Sequence, residues 1–130
     1  MFVDTSFWFA LRRRRDPNHE RAVKLLAAHA ADPLLTTNHV RGETWTLVNR
    51  REGHAAAVAV LDALARSPRL RVHHVDPRLE REALDWLRQR DDREFSFVDA
   101  TSFATMRHFA VDTALAFDGD FSAAGFTELR

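Results

Sequence analysis

The sequence predicts an α/β fold, a central and mostly parallel sheet flanked by helices on both faces. Three observations lead there. Short apolar runs alternate with longer segments whose apolar residues recur at helical spacing, the pattern of strand–helix–strand units. The chain of 130 residues is 45% apolar, enough for one domain spanning 1–130 with a real core. Acidic residues close two of the apolar runs: Asp4 follows Phe2-Val3, and Asp118 follows Ala114 to Phe117. Right-handed crossovers bring all parallel strand exits to one side, and that side is where such sheets carry their sites.

Each element has a local reason. Phe2-Val3 before Asp4-Thr5-Ser6 reads as a strand followed by a capped helix through about Leu11. Asp16-Pro17-Asn18-His19 breaks that helix and opens another, in which Ala22, Leu25, Leu26 and His29 form a stripe. Ala31-Asp32-Pro33 turns the chain into the short strand Leu34-Leu35-Thr36, and Thr37 or Asn38 can cap the next helix, which runs to about Arg51. Gly53 separates it from a helix carrying Ala57, Leu61, Leu64 and Ala65, which Ser67-Pro68 ends. Leu70 to Val75 is a mixed strand. Pro77 suits the opening of a helix, and Leu79, Ala83, Trp86 and Leu87 give it the clearest amphipathic pattern in the chain. Asp91 to Glu94 reads as a charged connector, Ser96 as a cap for Phe97 to about His108, Thr113 to Phe117 as a strand, and Phe126 to Leu129 as an added edge.

Composition excludes several functions. With no cysteine, thiolate metal sites and disulfides are ruled out, and the scattered histidines have no zinc spacing. The start Met1-Phe2-Val3-Asp4 has no basic segment leading into a hydrophobic stretch, and no apolar run reaches about 18 residues. A soluble, cytoplasmic protein with no membrane partner is expected. Basic and acidic residues number 19 each, so a nucleic-acid partner has to be held by local patches. All but one of the basic residues are Arg, and Arg12 to Arg15 form the dense cluster. That cluster suits either a solvated helix end with charges placed well against the dipole or contact with a substrate or partner.

The acidic residues carry the chemistry. Glu43 shares a helix face with Val40 and Leu47, and Asp99 with Phe103 and Met106, positions where a carboxylate is costly unless a cation or donor meets it. Asp99 also sits in a first helical turn, which the dipole favours. Gathered together, Asp4, Glu43, Asp99 and Asp118 could not all stay ionised without countercharge. Mg²⁺ or Mn²⁺ supplies it through hard oxygen ligands and serves phosphodiester hydrolysis. Thr5, Ser6, Thr101 and Ser102 are hydroxyls adjacent to these acids that can orient them. Asp120, just past Gly119, suits a cap or a water-mediated contact.

Four segments together resemble a known family, the PIN domain, and within it the VapC-like ribonuclease toxins of bacterial toxin–antitoxin pairs. They are Phe2 to Trp8, Thr37 to Thr44, Phe95 to Phe103, and Ala116 to Phe121 followed by Ala124-Gly125-Phe126, in order and with compatible spacing across essentially the whole chain. The resemblance implies a Mg²⁺- or Mn²⁺-dependent endoribonuclease acting on RNA, with tRNA and rRNA as possible substrates. It implies a homodimer and a small cognate VapB-like antitoxin whose C-terminal segment covers the cleft. It also implies that Asp4, Glu43, Asp99 and Asp118 are the acidic set. Asp120 stands where relatives carry a basic residue. A DNA or flap nuclease of the same acidic-cleft class, and a non-catalytic partner-binding scaffold, are the competing readings.

Overall fold

The computed structural model describes residues 1–130. In chain order the elements are β1 Phe2–Val3, α1 Thr5–Arg12, α2 His19–Ala28, β2 Leu34–Thr37, α3 Asn38–Glu52 and α4 His54–Arg66. They continue with β3 Leu70–His73, α5 Pro77–Arg88, α6 Phe97–His108, β4 Thr113–Leu115, α7 Asp120–Ala123 and β5 Thr127–Leu129. The strands form one sheet in the order β3-β2-β1-β4-β5, and every neighbouring pair is parallel. The chain grows from β1 outward to β3, then crosses back to β4 and β5. Right-handed crossovers place α1 to α4 on one face and α5 to α7 on the other. The order reverses between β1 and β4, where Phe2 faces Ala114 and Val3 faces Leu115, and that reversal opens a crevice at the strand exits.

The central strands β1 and β4 are sealed from solvent: Phe2, Val3, Ala114 and Leu115 have no exposed surface. Strand β1 ends because Asp4 caps α1, accepting from the Ser6 N–H at 2.9 Å while its own N–H still bonds Leu115 O across the sheet. Thr37, not Asn38, caps α3, accepting from the Val40 N–H at 3.1 Å. Asn38 instead accepts from the Val75 N–H at 2.8 Å and fixes the approach to α5. Gly53, at φ 93°, lets α3 turn directly into α4. Strand β4 is shorter than its apolar run: it ends at Leu115, so Asp118 hangs from a turn beyond the strand.

Helix α6 differs most from its sequence pattern. Instead of one apolar stripe, every residue from Asp99 to Met106 is buried, so the helix is surrounded by protein. Thr101, Ser102 and Thr105 tolerate this by donating their hydroxyls to helix carbonyls of Val98 and Thr101. Phe103 at its centre meets Trp86, Phe95, Phe121 and Phe126 at ring-centroid distances of 5.1–5.8 Å. Phe121, which also touches Phe2, anchors the short α7 and so fixes the turn that carries Asp118.

Candidate active site

The crevice at the strand exits is a cleft of about 360 Å³ lined by Asp4, Thr5, Ser6, Glu43, Leu47, Glu94, Ser96, Asp99, Asp118 and Asp120. Each acid arrives by a different local device. Asp4 is the α1 cap, and its Oδ2 takes both the Ser6 N–H at 2.9 Å and the Ser6 hydroxyl at 2.7 Å. Asp99 is the third residue of a capping box: Ser96 Oγ accepts the Asp99 N–H, and Asp99 Oδ2 accepts the Ser96 N–H at 2.8 Å. Asp118 closes an Asx turn in which Oδ1 accepts the Asp120 N–H at 3.0 Å, across Gly119 in the left-handed region at φ 81°. One oxygen of each carboxylate is thus spent on orientation. Carboxylate oxygens of Asp4, Asp99 and Asp118, one from each, lie within 4.8 Å of one another.

Such proximity strains their ionisation. Burial pushes the Asp4 carboxyl up to about 8, the Asp118 charge adds to it, and the Ser6 donors oppose it. Asp99 is raised to about 6, by burial first, with the charges of Asp120 and Asp118 contributing against the Ser96 hydrogen bonds. Asp118 reaches solvent at the rim, yet the cleft walls and the charges of Asp120 and Glu128 raise it as well. Three converging, mutually repelling carboxylates with no imidazole or thiolate among them are a donor set for a hard divalent cation.

A PIN domain matches residues 1–127. The chain belongs to the PIN domain family. It is 55% identical over 130 residues to the 23S rRNA-specific endonuclease VapC20 of Mycobacterium tuberculosis, from strains CDC 1551 / Oshkosh and ATCC 25618 / H37Rv, spanning 100% of this chain and 98% of the relative. The crystal structure of M. tuberculosis VapC20, a Sarcin-Ricin loop cleaving toxin, superposes with a TM-score of 0.89 at 56% identity, over 97% of this chain and 95% of that one. FitAcB from Neisseria gonorrhoeae shares the fold with a TM-score of 0.72 at 17% identity, over 99% of this chain and 96% of that one. Within the family this PIN domain falls with the VapC-like ribonuclease toxins.

The PIN domain places the remaining sequence candidates unevenly. Glu43 is not on a core-facing stripe as its spacing suggested; it is exposed at the mouth of the cleft, where its Oε2 accepts the Thr5 hydroxyl at 2.6 Å. Thr5 and Ser6 line the cleft, whereas Thr101 and Ser102 do not, because their hydroxyls serve Val98 O. Asp120 is not the cap of α7, a position held by Gly119; it lies inside the helix and pairs with Arg93 Nε at 2.5 Å. His39 contacts Thr101 Oγ1 at 3.2 Å and packs at a tilt against Phe97, with ring centroids 5.5 Å apart.

Two residues were not singled out from the sequence. Arg93, within the charged connector, donates to Asp120 and to Asp118 O at 3.1 Å, holding the acidic turn against the connector. Glu128 of β5 has no exposed side-chain surface and accepts the Gly119 and Ser122 N–H groups at 3.0 and 3.2 Å. Only the pairing of β4 with β5 brings Glu128 beneath that turn, so no local pattern announces it.

Proposed function

We propose that this VapC-like toxin, a metal-dependent endoribonuclease of a toxin–antitoxin pair, binds Mg²⁺ or Mn²⁺ through Asp4, Asp99 and Asp118 and cuts ribosomal RNA. The observation that carries the reading is the set of three carboxylate oxygens, one each from Asp4, Asp99 and Asp118, within 4.8 Å of one another, on carboxyls raised by burial and by neighbouring charges. The substrate class is taken from the 55% identical relative, a 23S rRNA-specific endonuclease, and its Sarcin-Ricin loop is the first substrate to try.

When bound, the divalent ion supplies charge neutralisation at the phosphoryl oxygens and acidifies the attacking water. The chain supplies the geometry. Ser6 and Ser96 fix the Asp4 and Asp99 rotamers, so no ligand has to be ordered on binding. Glu43, with one oxygen held by Thr5, has its other oxygen free at the mouth to orient water and take up its proton. Arg93, already on Asp120, keeps that acid out of the ligand set.

The protein works as one domain in the cytoplasm, as a homodimer through the helices around Trp45 and Val58 to Leu61. Val58 is 37% exposed there, an apolar side chain on an open helix face. A small VapB-like antitoxin covers the cleft. Purified protein with Mg²⁺ or Mn²⁺ is expected to cut 23S rRNA at one place and to stop when the metal is chelated. Intact rRNA under these conditions rejects the substrate, and cleavage that survives chelation rejects the mechanism. A monomer by sedimentation at micromolar concentration rejects the dimer.

A further inference from the structure

At the far end of α1 from Asp4, the residues Arg12, Arg13, Arg14, Arg15 and Arg51 line a concavity of about 490 Å³ together with Glu52 and Ala56. The end of α1 with the following turn and the last turn of α3 supply its arginines, and Ala56 at the start of α4 completes the wall. Only Arg13 is neutralised, by Glu52 at 3.0 Å; Arg12, Arg14, Arg15 and Arg51 have no acidic partner within ion-pair distance. Helix dipoles favour a cation in each last turn. They do not account for five arginines from two segments lining one hollow.

The bowl is tied rigidly to the cleft. Helices α1 and α3 run side by side, joined at the cleft end by Thr5 and Glu43 at 2.6 Å and at the bowl end by Arg13 and Glu52 at 3.0 Å. At a rise of about 1.5 Å per residue, the two joints lie roughly 12 to 14 Å apart. One phosphate cannot occupy both places, but one RNA strand can reach across both. Such a strand needs the help, because the cleft mouth presents Glu43, Glu94 and Asp118 to a polyanion and the chain has no net positive charge to offset them.

We propose that this arginine bowl is an anchoring site for the phosphate backbone of the RNA substrate, away from the cleaved bond. The proposal rests on the ribonuclease reading above and assigns the bowl to binding, with no part in bond cleavage. Arginine suits it, as each planar fork meets two phosphate oxygens, and an open, unpaired group is available without first breaking an ion pair.

The test uses the full chain carrying Arg12→Gln, Arg14→Gln, Arg15→Gln and Arg51→Gln, which leaves the Arg13–Glu52 pair intact. Anisotropy in EDTA with an unstructured RNA of about 16 nucleotides reads binding without cleavage. The quadruple variant is expected to bind about tenfold more weakly at low salt, and the slope of log K against log salt to fall by about 2 to 3, near 0.7 per lost contact. The four matching Arg→Lys changes should restore the slope, which a purely structural role would not predict. With metal, KM for a long RNA should rise about tenfold while kcat holds. If the wild type binds RNA in this way but never cuts it, the anchor stands and the ribonuclease reading falls. An unchanged salt slope overturns the anchor, as does intact RNA affinity with lost binding of an acidic peptide.

Discussion

The two ends of helix α1 use charge in opposite ways. At its start, Asp4 is 3% exposed, holds two hydrogen bonds from Ser6 and is pushed up to about 8. At its end, Arg12, Arg14 and Arg15 are exposed on long side chains with no acidic partner. The first arrangement is rigid and energetically strained; the second is loose and close to its preferred state in water. On the readings proposed above, the difference separates two tasks. Holding a cation requires oxygens fixed to within tenths of an ångström, which short, buried, hydrogen-bonded side chains provide. Attracting a polyanion requires only positive potential at the right distance, which solvated arginines provide at little cost.

Substitution at the acidic end tests that contrast most severely. Asp4→Asn keeps an acceptor for Ser6 and removes one charge, so kcat should fall by about 100-fold or more while the metal-free protein melts no lower than the wild type. A lower melting temperature at neutral pH would show that the carboxylate is there for the fold. Next in size is the split between neighbours across Gly119. Asp118→Asn should weaken Mn²⁺ binding, read by calorimetry, and cleavage by about 100-fold, whereas Asp120→Asn, which frees Arg93, should cost about tenfold or less in both. Equal losses would place both acids on metal.

The smallest effect is on stability and has a definite sign. In the folded chain Asp4 and Asp99 keep their protons up to about 8 and about 6, against an ordinary value of 3.8. Between those limits the folded state binds more protons than the unfolded one, so metal-free stability should fall as pH rises from about 4 to about 8. Differential scanning calorimetry should show the melting temperature dropping by about 3 °C or more over that window, and Mn²⁺ should reverse the drop at the alkaline end. A metal-free melting temperature that rises across the same range would mean that the acids are not crowded as described.

Much of this was legible in the sequence because it is local. The capping pattern Asp4-Thr5-Ser6, the Ser96 to Asp99 box and the apolar run before Asp118 are all encoded within a few residues. The parallel sheet followed from the alternation of short apolar strands with helices. What escaped depends on contacts distant in sequence. Glu43 was read against Val40 and Leu47 on its own helix, and only the approach of Thr5 from α1 shows it facing outward. Arg93 looked like part of a solvated connector until its partner, 27 residues later, was in place. The hydroxyls of Thr101 and Ser102 resembled site residues because they neighbour Asp99, but a helix buried on all sides claims them for its own carbonyls.

One hydroxyl bears on which ion the cleft prefers. Ser6 Oγ donates to Asp4 at 2.7 Å and accepts the Phe117 N–H at 3.0 Å, so it bridges the crevice from the exit of β1 to the chain leaving β4. It acts as a gauge block, setting the gap between the walls that carry Asp4 and Asp118. Mg²⁺ holds its oxygens at about 2.0 to 2.1 Å and Ca²⁺ at about 2.3 to 2.6 Å, so on the proposed reading of the cleft as a metal site the width of this gap bears on which ion fits. If the cleft holds a cation as proposed, this lone serine hydroxyl is the place where its width can be changed without altering a single ligand.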